Sequence, residues 1–194
     1  MKTRQHGFTM IELIVVIVIL GVLAAVALPR FSNIQSDARI AKLNAARGAV
    51  QAASSMIHGT VLVRGGQQDA NNCPGTSTQA SNATSLAGTV CTEQGLISVI
   101  NGYPTANLAG IIDAAGLTSV FPATEADLAR EGYSTTADGT ATGTATGGAT
   151  IGSTITVRVT GGSNSANCSF TYSPANGGAT GSAAVVSAVT TTGC

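Results

Sequence analysis

A membrane-length apolar run near the N-terminus constrains this chain more than any other feature. The run extends from Phe8 to Leu28 and contains one charged residue, Glu12. At about 1.5 Å per residue, a helix of this length measures about 31 Å, close to the hydrocarbon thickness of a bilayer. A carboxylate inside that layer costs about 2.5–3.5 kcal/mol on insertion scales. The run therefore predicts a membrane-spanning helix whose charge needs a partner.

A short basic leader precedes the run, carrying Lys2 and Arg4 and ending at Gly7. An ordinary secretory signal has an apolar region of about 7–15 residues, followed by a cleavage site between small residues. This run is longer, and Glu12 interrupts its start. Cleavage after Gly7 would instead make Phe8 a new N-terminus, with its positive charge about one helical turn from Glu12.

The segment GFTMIEL, residues 7–13, resembles the class III signal of type IV pilins and pseudopilins. Pro29, near the end of the apolar run, belongs to the same pattern. The sequence LPRF at residues 28–31 and the late cysteine pair further resemble mannose-sensitive haemagglutinin-type major pilins of the type IVa class. The specific resemblance covers residues 1–58, and the remainder is similar in organisation only.

The resemblance implies how this N-terminal region is processed and used. A prepilin peptidase would cleave after Gly7 and methylate the amine of Phe8, which removes a leader of residues 1–7. Glu12 would pair with the Phe8 amine of a neighbouring subunit during assembly, and Pro29 would loosen the helix. The implied partners are other copies in a helical homopolymer, an assembly ATPase and an inner-membrane platform.

Two apolar stripes follow the membrane-length segment of residues 8–29. Residues 30–58 keep helical periodicity, which predicts an amphipathic continuation of the helix. Two stripes predict two buried faces, one against the subunit's own sheet and one against neighbouring helices. One broad buried face is the alternative. The larger residues of the first stripe are Ile40, Leu43, Val50 and Ile57; the second contains Phe31, Ile34, Ala38, Ala41, Ala45, Gly48 or Ala49, Ala52 and Met56.

Four cysteines supply the covalent staples that a chain so poor in large side chains needs. Aromatic residues make up 4% of the sequence, and there is no tryptophan. Three connectivities are possible, and the separation of the cysteines along the chain favours Cys73–Cys91 and Cys168–Cys194. The cysteines form no CxxC motif, and the histidines are His6 and His58, so we expect no metal site. Disulfides indicate an oxidising compartment outside the cytoplasm.

The rest of the chain predicts an α+β fold, with the long N-terminal helix packed on a small antiparallel sheet. Residues 59–132 read as a loop region with two short helices, at 106–116 and from about 124 to 130, and contain the first cysteine pair. Residues 133–194 read as a sheet region with strands at 153–160, 167–173 and 183–191, tied by the second pair. Residues 137–149, rich in Gly, Thr and Ala, predict a surface loop.

No catalytic or cofactor-binding pattern stands out, so we expect a structural protein rather than an enzyme, without a cofactor. The leading hypothesis is a major subunit of a type IV pilus that serves adhesion or motility. It would begin as a single-pass inner-membrane precursor with a cytoplasmic N-terminus and end in a filament on the cell surface. The alternative is a pseudopilin of a type II secretion system or a minor pilin. The formal net charge is zero, and few basic residues follow the helix, so no nucleic-acid partner is expected.

Overall fold

A single long helix forms the N-terminal part of the computed structural model, which describes residues 8–84, 87–138, 154–175 and 183–194. Helix α1 spans Met10–Arg64 and runs through two compact units, Met1–Ala38 and Arg39–Cys194. The sequence predicted that this helix ends at residue 58, but it ends at Arg64. The apolar residues 61–63 continue the helix because Val61 is fully buried. Gly65 and Gly66 then take positive φ values of 59° and 77°, which end it.

The first cysteine pair lies at a small sheet that the sequence did not clearly predict. Strands β1 (Ala87–Cys91), β2 (Leu96–Ile100) and β3 (Tyr103–Pro104) form an antiparallel sheet in the order β1-β2-β3. The segment 96–100, which the sequence left open between strand and helical turn, is therefore a strand. Strand β1 escaped prediction because its sequence, AGTVC, is short and begins with Ala and Gly, which are depleted in strands.

Two short helical segments follow, close to where the sequence predicted them. The first is a π-helical turn, Leu108–Ile112, that continues into one α-turn, α2 (Asp113–Ala115), so it is shorter and less regular than the predicted 106–116 helix. Gly116, with a φ of 59°, ends it in the left-handed conformation. Helix α3 (Glu125–Arg130) begins with a capping box in which Thr124 and Asp127 bond reciprocally.

The C-terminal part forms a second antiparallel sheet of four strands. These are β4 (Tyr133–Asp138), β5 (Thr154–Val159), β6 (Ser169–Ser173) and β7 (Val185–Val186), in that order across the sheet. The three predicted strands correspond to β5, β6 and β7, although β7 is only two residues long, and β4 is additional. Most of the predicted surface loop of residues 137–149 lies outside the described residues.

The main core lies between α1 and the four-stranded sheet. Leu43 and Val50 from α1 belong to one buried cluster with Val157, Phe170 and Tyr172 of the sheet. A smaller cluster joins Ile57 and Val61 of α1 to the buried residues of the first sheet. The α+β fold class that the sequence predicted is thus confirmed, with two sheets instead of one.

Candidate functional site: the assembly helix

The start of α1 is capped by the residue that follows the predicted new N-terminus. Thr9 Oγ1 accepts a hydrogen bond from the Glu12 backbone N–H at 3.3 Å, and the Thr9 carbonyl accepts from Leu13 N–H at 3.3 Å. Glu12 lies in the first turn, where the helix dipole favours a negative charge. The sequence analysis did not use Thr9, although the Thr-x-x-Glu spacing is that of a capping box. Gly7 lies outside the described residues.

The apolar segment of α1 presents its side chains outward on every side. Met10–Leu28 has a mean hydropathy of 3.1, none of it is buried, and its length and composition are sufficient to cross a membrane. Phe8 is 85% exposed, and even Val16 in the middle of the segment is 49% exposed. A continuous apolar surface of this kind marks a site of contact with protein or lipid. Within the described part of the chain, no basic group forms an ion pair with Glu12.

In its second half, α1 has two different faces. Leu43, Val50 and Ile57 are buried against the sheets, as the larger apolar residues were predicted to be. On the opposite side lies an exposed row of small residues with Met56 at its end, which we call the small-residue face: Ala41, Ala45, Gly48, Ala52 and Met56. A Cβ added at Gly48 would meet no atom within 4 Å. The side chains of residues 29–33, including Pro29 and Phe31, lie outside the described ones.

Three basic side chains of α1 tether loops of the C-terminal half to the helix. Arg39 Nη1 donates to the Cys194 carbonyl at 2.8 Å, and Arg47 Nε donates to the Ser187 carbonyl at 2.6 Å. Lys42 Nζ donates to the Glu131 carbonyl and lies 4.4 Å from the centroid of the Tyr133 ring. In the sequence these residues lie between the apolar positions of the helix. Their acceptors are backbone carbonyls of distant loops, which no periodicity identifies.

Both cysteine pairs are joined in the local pairing that the sequence favoured. Cys168 and Cys194, with Cα atoms 4.8 Å apart, tie the start of β6 to the C-terminal segment, which confirms the predicted pair. Cys73 and Cys91, with Cα atoms 5.4 Å apart, tie the loop after α1 to the end of β1. Asp69 lies near the Cys73–Cys91 bond. Because both sulfurs are oxidised, they are not available there as thiolate ligands.

His58 has structural contacts. Its ring stacks on Tyr103 with centroids 3.9 Å apart, and its Nδ1 lies 3.0 Å from the Gly102 carbonyl oxygen. These contacts connect α1 to the turn between β2 and β3, so they account for the histidine without a ligand.

Asn82 heads a sequence, Asn-Ala-Thr, that fits the acceptor pattern for glycosylation, but its side chain is fully buried. Its Nδ2 donates to the Gln67 carbonyl at 2.7 Å and to Asp69 Oδ1 at 2.8 Å. Arg64 Nη1 donates to its Oδ1 at 3.2 Å. A glycan on Asn82 would have to break this network, so the fold argues against modification at this position.

Known proteins resemble this chain most clearly at its N-terminus. Residues 2–28 match the family described as the prokaryotic N-terminal methylation motif. The type IV narrow pilus major component PilA5 of Thermus thermophilus is 44% identical over 62 residues, which is 32% of this chain and 52% of that protein. The type IV major fimbrial protein FimA of Dichelobacter nodosus is 38% identical over 53 residues, covering 27% of this chain and 34% of that protein.

A fimbrial protein of Neisseria meningitidis is 34% identical over 110 residues, which is 56% of this chain and 58% of that protein. The chain thus spans between about a third and somewhat more than half of the length of these relatives. No solved structure matches. The methylation motif and the similarity to type IV major pilins together support a type IV pilin.

Proposed function

We propose that this chain is the major structural subunit of a type IV pilus, polymerising through α1 into a surface filament for adhesion or motility. The observation that carries the proposal is the fully exposed apolar segment Met10–Leu28 with Glu12 in its first turn. An anchor alone needs no carboxylate at that position. A subunit that must align with identical neighbours has a use for one.

The apolar segment has two successive environments in this proposal. In the precursor it spans the inner membrane, with the leader on the cytoplasmic side and the disulfide-bonded region outside. On assembly, each helix exchanges lipid for the helices of neighbouring subunits. Apolar surface stays out of water in both states, so extraction does not expose it.

Glu12 and the amine of Phe8 would set the axial register between subunits. Unit charges attract more strongly in a helix bundle of low dielectric constant than in water. A buried carboxylate without a partner is costly, so a subunit placed out of register would be penalised. Cleavage after Gly7 creates the amine, which makes processing a precondition for assembly.

The small-residue face of α1 supports the same proposal. From Ala41 to Ala52, exposed alanine and glycine let a second helix approach closely, because this part of the face carries no long side chain to hold the backbones apart. The buried face of α1 is already occupied by the subunit's own sheets. The small-residue face is therefore available to extend the helix contacts beyond the membrane-length segment. The other proposed partners are the prepilin peptidase, the assembly ATPase and the inner-membrane platform.

Electron microscopy of material sheared from cells, with mass analysis of its main protein, tests this proposal. We expect long filaments made of a chain that begins at methylated Phe8. Processed protein that stays in the envelope without filaments would contradict the major-pilin assignment. That result would favour a type II secretion pseudopilin or a minor pilin.

Two substitutions separate processing from assembly. Gly7→Leu should leave unprocessed precursor in the membrane, because the bulky leucine side chain would not fit where the peptidase accommodates glycine at the cleavage site. Glu12→Ala should be processed but give few filaments. Glu93→Ala, which removes an exposed carboxylate before β2, is the matched control and should assemble normally. A normal filament yield from Glu12→Ala would remove Glu12 from its proposed role.

A further inference from the structure

The outer face of the four-stranded sheet differs in chemistry from the face that packs on α1. Side chains alternate between the two faces along each strand. On β5, Val157 and Val159 are buried in the core. Thr156 and Arg158 alternate with them, are half-buried and therefore lie on the outer face.

Strand pairing arranges the outward residues in two rows, which we call the hydroxyl face. Neighbouring positions within a row are about 4.8 Å apart, and the rows are about 6.8 Å apart. Both rows cross β4, β5 and β6. One contains Ser134, Arg158 and Ser169, and the other contains Thr136, Thr156 and Thr171. Five hydroxyls thus surround one positive charge.

The guanidinium of Arg158 has no acceptor in the described part of the chain. Its Nε is buried without a partner, whereas Nη1 and Nη2, at the outer end of the side chain, are not among the buried atoms. The other basic residues of the disulfide-bonded half and the helix beneath it each donate to an oxygen. These residues are Arg39, Lys42, Arg47, Arg64 and Arg130. Arg158 is therefore the described cation that the fold leaves for an outside acceptor.

Most hydroxyls of this face are also unused by the fold. Ser169 is buried, and its Oγ donates to the Ala166 carbonyl at 3.0 Å. The other four hydroxyls form no hydrogen bond within the described residues: Ser134, Thr136, Thr156 and Thr171. Each of them can donate one hydrogen bond and accept two. The face thus offers a fixed cation beside groups that both donate and accept.

We propose that the hydroxyl face binds a carboxylated sugar, such as a uronate unit of an acidic polysaccharide. The two oxygens of a carboxylate match the two accessible nitrogens of the Arg158 guanidinium. Sugar hydroxyls donate and accept in the same way as those of Thr136 and Thr156, so both partners would be satisfied. An acidic peptide fits less well, because it brings few hydroxyls and would leave those of the face unpaired.

This proposal names a ligand class for an adhesive pilus and in that respect rests on the proposed function. Binding itself is a property of the folded subunit, so it can be measured without filaments. A filament would repeat the hydroxyl face along its length. Weak binding by one subunit would then add up on a polymer with many uronate units.

The amides of Ser134, Arg158 and Ser169 are direct reporters of the row that carries the charge. The full chain, ¹⁵N-labelled in micelles of a detergent without a sugar head group, is titrated at pH 7 and constant ionic strength with methyl galacturonoside. We expect saturable shifts of these three signals. Methyl galactoside, which lacks the carboxylate, and acetate, which lacks the sugar, should both bind more weakly. Binding of galacturonoside no tighter than that of acetate would overturn the proposal.

Variants test whether Arg158 receives the carboxylate. Arg158→Gln should lower the affinity about tenfold or more, and the fold should tolerate it because the guanidinium has no partner there. Arg158→Lys keeps the charge but loses the fork, so we expect intermediate affinity. Arg130→Gln removes the same charge from the exposed side of α3 and is the matched control. Unchanged binding by Arg158→Gln, or an equal loss in Arg130→Gln, would contradict the assignment.

Two further measurements exclude other occupants. Galactose 6-sulfate carries its negative charge on a tetrahedral group, and equal or tighter binding of this sugar would overturn the carboxylate assignment. Arg158→Gln should form filaments at the yield of the parent chain. A lower yield would mean that Arg158 pairs with a neighbouring subunit, which would also overturn the proposal. Absence of filaments from the parent chain would instead contradict the proposed function and leave the titration in micelles unaffected.

Discussion

Glu12 and Asp113 are two carboxylates among apolar residues, and they differ in burial and in the groups that stabilise them. Glu12 lies at a helix start, where Thr9 caps its backbone N–H and the helix dipole favours its charge. Asp113 is enclosed by its own fold, and one backbone N–H supports one of its oxygens. In the proposed filament, Glu12 would gain a partner from a neighbouring subunit. Asp113 has no such partner, so the fold bears the cost of desolvating it.

That cost predicts how Asp113 affects stability as pH changes. Burial raises its folded pKa to about 6, above the ordinary value of 3.8, so the folded state binds the proton more tightly than the unfolded state. This group therefore stabilises the fold most below about pH 4, and the contribution is lost as pH rises through 6. One pKa unit corresponds to about 1.4 kcal/mol. Relaxation of the protein around the ionised carboxylate lowers this cost, so we expect a total effect of about 1–2 kcal/mol.

Asp113→Asn should consequently raise the free energy of unfolding at pH 7 by about 1 kcal/mol and flatten its change between pH 5 and 7. Denaturant unfolding followed by tyrosine fluorescence measures this, because Tyr103, Tyr133 and Tyr172 all lie in the disulfide-bonded half. Asp37→Asn, at an exposed position, should leave the pH dependence unchanged. A loss of stability at both pH values would mean that the charge itself supports the fold.

At the scale of elements, α1 serves as a scaffold along its second half. One side supplies core residues to both sheets, the flank carries the basic tethers, and the small-residue face remains exposed. The tethers act on segments with little regular structure of their own. Strand β7, for example, has only two residues, and the segment after it depends on Arg47 and on the bond to Cys168.

Arg47→Met should loosen the segment of residues 183–194. The substitution keeps the apolar stem but removes the charged donor to the Ser187 carbonyl, a bond worth about 1.5–3 kcal/mol. Hydrogen exchange of the Ser187 and Thr190 amides, which both donate to β6, should accelerate about tenfold or more.

Arg130→Met is the control for that measurement. Arg130 is 77% exposed and paired with Asp127 on the surface, where an ion pair contributes little. Its loss should leave exchange in the 183–194 segment unchanged. Equal acceleration in both variants would point to a general effect of charge and not to the tether.

At the scale of the whole molecule, each of the two small sheets is stabilised by one disulfide. Three of the four cysteines are buried: Cys73, Cys168 and Cys194 have 2%, 0% and 8% of their surface exposed, whereas Cys91 is only half-buried. Each bond closes a short stretch, with separations of 18 and 26 residues. On chain-entropy grounds each contributes about 2–4 kcal/mol, and the difference between them is small.

The order of reduction should follow exposure. Under mild reductant we expect Cys73–Cys91 to open first, because a thiolate reaches a half-buried sulfur more readily than a buried one. Intact mass should first show a chain lacking four hydrogens, as two disulfides require. Alkylation with peptide mapping then follows each pair. Simultaneous loss of both pairs would indicate that the whole region opens in one step.

The sequence by itself determined the long helix, its apolar segment, the leader pattern and the favoured pairing of cysteines. These features are local, since hydropathy, spacing and capping residues act over a few turns. Gly116, which ends α2, and Thr124, which caps α3, likewise act over a few residues, and the predicted ranges of these two helices were close for that reason.

Only the tertiary structure decided the rest. Strands β1 and β4 form through pairing with β2 and β5, and the basic tethers join residues far apart in the chain. The helix continues past residue 58 because Val61 packs into the buried cluster beside the first sheet. Such contacts depend on which surfaces meet, and a one-dimensional pattern does not contain that information.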